Sequence, residues 1–196
     1  VDREEYPEAQ RLLERSVDVI LERGVMNVSL SQLARAVGSN NRMLLYYFSS
    51  KDRLFTEAIR AAYDRYPRLH GLMPGLQEPG PMSDALKHGW RQLRHAENLP
   101  YITLFFEALA AAARDPDANP AHLEVLATHW PSQIQSAFVL RGYSADAAAT
   151  AAVELMALWR GLQFALISGT PVEILDLAQD SAVDALFGDD GVISNS

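Results

Sequence analysis

Residues 28–54 read V-S-L-S-Q-L-A-R-A-V-G-S-N-N-R-M-L-L-Y-Y-F-S-S-K-D-R-L, and this stretch decides the fold. Ser29, with Gln32 three residues on, is a capping box that opens a short helix whose buried face is Leu30, Leu33, Ala34 and Val37. Gly38 makes a turn, and Ser39 or Asn40 caps a second short helix over 41–47. Two tyrosines end that helix. Ser49 with Asp52 offers a further capping box ahead of a longer helix beginning near Lys51. Two short helices joined by a tight glycine turn, closed by a capped third, form the layout of a helix-turn-helix reader of duplex DNA.

The flanks extend the helical pattern. Upstream, Ala9, Leu13, Val17, Ile20 and Leu21 form one stripe of a helix over 7–23, stopped by Gly24 as a left-handed residue stops a helix. Downstream, Leu54, Phe55, Ala58, Ile59, Ala62, Tyr63 and Tyr66 keep the i, i+3, i+4 rhythm to residue 66. Residues 67–81 hold four prolines and three glycines and mark the one obvious boundary. Beyond it the pattern predicts helices over 83–97, 100–114, 120–141, 145–168 and 171–187. Asn119-Pro120 and Thr170-Pro171 each place a cap residue ahead of a proline at the first helical position. Pro131 is expected to kink or split its helix, and residues 188–196 to fray. Period-two strands are not convincing anywhere. The expectation is an all-α chain with a three-helix helix-turn-helix DNA-binding domain over 1–50 and a helical body over 51–196, helix 51–66 connecting them.

Composition narrows the function classes. The chain has 196 residues, 48% of them hydrophobic and 21% charged, enough for real cores and too apolar for wholesale disorder. It has no cysteine, which removes disulfides, thiolate metal sites and cysteine nucleophiles together and fits a reducing cytoplasm. The uncharged runs suggest no membrane span, and the acidic start shows no secretory signal. The net charge of −8 is unevenly placed. Residues 1–66 carry ten basic and ten acidic groups, so the deficit lies in the remainder, with seven against fifteen. Residues 24–53 hold Arg35, Arg42, Lys51 and Arg53 against Asp52 alone. A locally positive tip on an acidic body is compatible with phosphate binding, since charges are screened beyond about 8 Å at physiological salt.

The chemistry of reading DNA assigns roles within the tip. Phosphate contacts need donors at helix starts and on the flanks of the groove-entering helix: Ser29, Ser31, Tyr46, Tyr47 and Lys51. Tyr47 is equally suited to pack with Phe48. Base contacts belong at the front of the second short helix, to Asn41 and Arg42 first, with Met43 packing on a thymine methyl. The segment 145–168 is apolar nearly all round, with Leu155, Met156, Leu158, Trp159, Leu162, Phe164 and Leu166, and must be covered on several sides. With 171–187 it makes half of an intermolecular four-helix bundle, or else the centre of one subunit's core. A two-fold homodimer suits a reader of palindromic, paired half-sites about one DNA turn apart.

Across residues 12–59 the chain resembles the TetR family of transcriptional regulators. The resemblance is carried by Glu22-Arg23-Gly24, Val28-Ser29-Leu30, Leu33-Ala34, Val37-Gly38, Leu44, Tyr46-Tyr47-Phe48 and Lys51-Asp52-x-Leu54. Beyond that it extends only to helix count, length and the apolar final pair of helices. Departures gather in the reading helix: Arg42 stands where the family usually has glycine, Leu45 where it usually has an aromatic, and Ser39-Asn40 where Val-Ser is usual. The resemblance implies a sequence-specific regulator, a repressor released by an apolar small-molecule effector, whose helical body is a ligand-binding and dimerisation domain. It implies an effector cavity lined by aromatics with a few polar anchors, for which Trp90, Tyr101, Phe105, Glu107, His129, Phe138 and Trp159 are the candidates.

The same residues give little to other functional classes. His88/His95 and His122/His129 lie seven apart, about 10 Å along a helix, too far to share a metal. No nucleophile elbow or glycine-rich phosphate loop is present, so neither catalysis nor a cofactor is expected. The replaced glycine and aromatic leave open an alternative: a small-molecule sensor with a degenerate reader, acting through a protein partner.

Overall fold

A computed structural model describes residues 7–114 and 120–188, with side chains for 7–114 and 130–188. The described chain is helical: α1 Pro7–Arg23, α2 Leu30–Ala36, α3 Asn41–Phe48, α4 Lys51–Tyr63, α5 Pro67–His70, α6 Leu72–Gln77, α7 Met82–Leu93, α8 Leu99–Arg114, α9 Pro120–Leu140, α10 Ala145–Ile167 and α11 Val172–Phe187. It divides into two compact units, Val1–Tyr66 with Pro100–Glu124, and Pro67–Leu99 with Val125–Ser196.

In the first unit, α1 and α4 pack through Leu12, Val17, Ile20, Leu54, Ala58 and Ala62, all buried. Gly24 ends α1 at φ +75, its N–H reaching the Ile20 carbonyl at 2.9 Å. The capping box of α2 forms as the Ser29/Gln32 spacing predicts, and Asn40 rather than Ser39 caps α3. The Arg15 guanidinium donates to the Val37 carbonyl at 3.2 Å, a cation placed at the negative end of α2. Packing groups α4 with α1–α3 here, where Arg65 pairs with Asp18 at 2.5 Å.

One cap differs from expectation. Ser50, not Ser49, caps α4, its Oγ accepting the Arg53 N–H at 3.1 Å. Ser49 is still bound to α3 through its N–H to the Leu45 carbonyl and sits at φ +66, so its backbone cannot take the extended cap conformation.

The second unit contains a larger correction. Residues 67–81, which proline and glycine content marks as a boundary, include α5 and α6. Leu69, Leu72, Met73 and Leu76 are buried at i, i+3, i+4 and i+7. Pro67 and Pro74 stand in first turns, where the missing N–H has no intrahelical acceptor to lose. Arg141 then ties this segment down by donating to the Leu76, Glu78 and Gly80 carbonyls. Helix α9 continues across Pro131 instead of splitting. The Asn119 cap and residues 189–196 of the tail lie outside the described residues. Pro171 itself takes the cap position of α11, one residue later than expected.

A charged ladder aligns α7 with α11 in antiparallel. Lys87 pairs with Asp184, Arg91 with Asp180 and Arg94 with Asp176, at 2.5, 3.1 and 2.6 Å. The Trp90 indole also donates to Asp176 at 2.9 Å. Gly89 faces Trp159 so closely that a Cβ there would lie 3.2 Å from the ring. Helix α10 is long and apolar enough, by length and composition, to cross a membrane, which the reading of uncharged runs missed because Asp146, Glu154 and Arg160 interrupt it. Its buried residues Ala148, Ala151, Leu155, Trp159 and Leu162 serve as a core stripe of this unit.

Candidate nucleic-acid interface

Helix α3 is anchored by two residues and presents most of the rest. Leu44 and Phe48, one helical turn apart, are buried against the first unit's core. The opposite side carries Asn41, Arg42, Leu45 and Tyr46, all exposed, with Tyr46 at 70% and Leu45 at 41%. This is the i, i+1, i+4, i+5 face of a short amphipathic helix, polar at its N-terminal end and aromatic at its C-terminal end. Met43 and Tyr47 lie between the two faces, half-buried, and the Tyr46 and Tyr47 rings meet edge to face at 5.1 Å.

The neighbouring donors differ in how free they are. Ser29 is exposed, but its hydroxyl is engaged in both directions, donating to Gln32 Oε1 at 2.7 Å and accepting the Gln32 N–H at 3.3 Å. Ser31, in the first turn of α2, accepts the Asn41 side-chain N–H at 2.9 Å, bridging the two helices of the motif. Lys51 is exposed at the start of α4, its Nζ 5.2 Å from the centre of the Phe55 ring one turn along the same helix. Arg53 pairs with Glu57 at 3.0 Å and is thereby partly neutralised. The surface offers a carboxamide, a guanidinium, hydroxyls and an ammonium, chemistry suited to base edges and phosphates rather than to bond making.

The residues expected to line an effector cavity separate. In the first unit, Tyr101 is stacked against Tyr63 and Tyr66 at 5.6 and 5.4 Å, and burial pushes its phenol well above the usual tyrosine range. Phe105 meets Phe106 edge to face at 5.6 Å. Glu107 accepts the Val25 N–H at 3.0 Å, and its carboxylate lies so close over Gly24 that a Cβ there would displace it. In the second unit, Trp90, Phe138 and Trp159 are buried, Phe138 between Tyr143 and Phe187. The His129 side chain lies outside the described residues.

Two features escaped the sequence. Pro67, Arg68, Gly71, His88, Gln92 and Glu97 line an open cleft of about 500 Å³ on the second unit. Arg68 spans it to Gln92 and Glu97. None of the expected effector residues lies in it, and half its wall comes from the segment that proline and glycine content marked as a boundary. The second feature is Gln179, fully buried on α11 with neither amide atom hydrogen-bonded among the described residues. A glutamine between Ala178 and Asp180 gives no sequence signal of that kind.

Comparison with known proteins bears on this geometry. Residues 12–58 match the family model of bacterial regulatory proteins, tetR family. No curated protein is significantly similar in sequence. Among solved structures, a transcriptional regulator from Rhodococcus sp. Rha1 is 22% identical, with 91% of this chain and 95% of that one covered and a TM-score of 0.72. The multidrug binding protein EbrR, complexed with imidazole, is 20% identical over 95% and 96% of the two chains, with a TM-score of 0.70. A TetR-family member from Streptomyces coelicolor A3 is 22% identical over 92% and 99%, also at 0.70. At such identities the structural likeness speaks for the fold, and the matched motif for the reader. Residues 12–58 thus carry the motif of the tetR family of bacterial regulatory proteins, and the chain as a whole has the fold seen in these solved transcriptional regulators.

Proposed function

We propose that the protein is a cytoplasmic, sequence-specific transcriptional repressor that binds a palindromic operator as a homodimer and is released by an apolar small-molecule effector. The observation that carries this reading is the exposed face of α3, with Asn41, Arg42 and Tyr46 in solvent and Lys51 beside them. Asn41, Arg42 and Met43 read base edges. Ser31, Tyr46, Tyr47 and Lys51 grip the backbone, while the Ser29 hydroxyl, given to Gln32, serves the cap of α2. Dimerisation joins α10 and α11 of two copies. Its support is an apolar strip exposed on both helices, with Val153 and Phe164 on one and Ile174 and Leu177 on the other, Leu177 being 73% exposed.

The effector reading has a different support: EbrR, a structure of similar fold, is a multidrug binding protein seen with imidazole and with proflavin. Of the expected residues, Trp90, Phe138 and Trp159 share the second unit and are the ones proposed to meet such a molecule here. An effector of this kind favours a state whose two readers are spaced wrongly for adjacent major grooves, so DNA affinity falls. Selection from a random duplex pool at moderate salt tests the core of the proposal. Enrichment of a two-fold symmetric site is expected, and a pool left unenriched would refute it.

A second reading rests on one specific observation. Leu45 occupies an aromatic's usual place and is exposed beside Arg42, an apolar side chain on a face meant for DNA. In that reading the protein senses a small molecule and acts through a protein partner. Proflavin binding without measurable DNA affinity is the result that selects it.

A further inference from the structure

Asn41 donates one side-chain N–H to Ser31 Oγ at 2.9 Å, linking the front of α3 to the first turn of α2. Both residues are exposed, and ten positions separate them in sequence. We propose that they act as one device: a DNA phosphate accepts the Ser31 hydroxyl, and Ser31 in turn holds the Asn41 carboxamide in the attitude that reads adenine. The inference rests on the DNA-binding reading above and assigns its base class and a positioning residue.

The donor and acceptor inventory makes the argument. An asparagine side chain has two N–H hydrogens and one carbonyl oxygen. With one hydrogen given to Ser31, a single N–H and Oδ1 remain. Adenine presents N7 as an acceptor beside its N6 amino donor on the major-groove edge, and the remaining pair of Asn41 groups matches both. Guanine presents two acceptors there, so Oδ1 would face the O6 lone pairs. Cytosine offers a donor alone, and thymine an acceptor beside a methyl group. An unheld carboxamide can turn over about its last bond and present the opposite order. The Ser31 contact removes that freedom, because an amide oxygen turned toward Ser31 could be satisfied only by the hydroxyl hydrogen that the phosphate takes.

Ser31 is free to play both parts. It accepts from Asn41, which leaves its own O–H to donate outward, whereas the hydroxyl of Ser29 is already spent on Gln32. The backbone contact that sets the register of α2 thus also orients a base reader on α3. Ser31 acts through Asn41 and touches no base.

The test is selection from a random duplex pool with the full-length protein and its Ser31→Ala, Ser31→Thr and Asn41→Ala variants. The wild-type sites are expected to hold adenine at one position per half-site, favoured about fivefold or more over each other base. Asn41→Ala should flatten that position alone. Ser31→Ala should lower the adenine preference at the same position to about twofold or less while the other positions keep theirs, and Ser31→Thr, which retains the hydroxyl, should restore it. Loss of preference at all positions in Ser31→Ala would mean a merely structural role and would overturn the pairing. So would an adenine preference unchanged in Ser31→Ala, or a different base at the position flattened by Asn41→Ala. A wild-type pool with no enriched site would overturn the DNA reading itself, and this inference with it.

Discussion

Both units leave large apolar side chains in solvent, but in different company. On α3, Tyr46 and Leu45 stand among Asn41, Arg42, Ser31 and Lys51, so the apolar area is embedded in hydrogen-bond donors and positive charge. On α10 and α11, Val153, Phe164, Ile174 and Leu177 are accompanied by the exposed small residues Ala157, Gly161 and Ala178. The first surface suits a polyanion, whose phosphates take the donors while sugars and base methyls take the apolar groups. The second suits a surface like itself, since apolar strips over small residues allow two helix pairs to approach closely. Exposure alone does not name a partner. The chemistry surrounding the exposed group does.

The sharpest way to break this contrast is to charge the second surface. Leu177→Glu or Phe164→Glu should raise the dimer dissociation constant about thirtyfold or more, read by sedimentation equilibrium. Assembly unaffected by either change would remove the strip from any interface. Next in size, Tyr46→Ala and Lys51→Ala should each weaken DNA binding about tenfold, evenly across sequences, and Lys51→Ala should lower the slope of log affinity against log salt by about one. Base-selective loss in either variant would contradict their placement on the phosphate backbone.

Individual polar groups also differ in how they are met out of water. In the first unit Glu107 accepts from Val25, and the buried Ser16 hydroxyl donates to the Leu12 carbonyl at 2.7 Å. Glu107→Ala should therefore cost about 1 kcal/mol in chemical denaturation, discounted for its partial exposure, while Glu107→Gln, which keeps an acceptor oxygen, costs less than half of that. Equal losses would show that the acceptor is irrelevant. The second unit leaves Gln179 buried without partners among the described residues. Gln179→Met keeps the shape and removes the unpaired amide, so stability should rise by up to about 1 kcal/mol. A lower melting temperature would mean that the amide is in fact partnered.

How far the sequence could be read depended on the range of the interactions involved. The Ser29/Gln32 box, the Gly24 and Gly38 turns and the buried pair Leu44 and Phe48 depend on neighbours within a few residues, and spacing alone announces them. The α5–α6 segment failed for an instructive reason. Its leucines and methionine keep the i, i+3, i+4, i+7 pattern, but proline and glycine content marks a boundary there, although prolines are harmless in first turns. Ser49 was misread as a cap because a serine before an Asp three residues on has the right composition, while the positive φ that disqualifies it is set by the end of α3.

Local chemistry written along the chain was thus enough to specify helical class, the reader's two helices and the identity of its outward residues, because caps, turns and amphipathic stripes act over one or two helical turns. Folding alone decided that Glu107 would meet Val25 across eighty-two positions, that Asn41 would be held by Ser31, that Asp176, Asp180 and Asp184 would pair with α7, and that Gln179 would be sealed away from water. These are long-range encounters between side chains whose types fit many possible neighbours, and only the packing of distant helices selects among them.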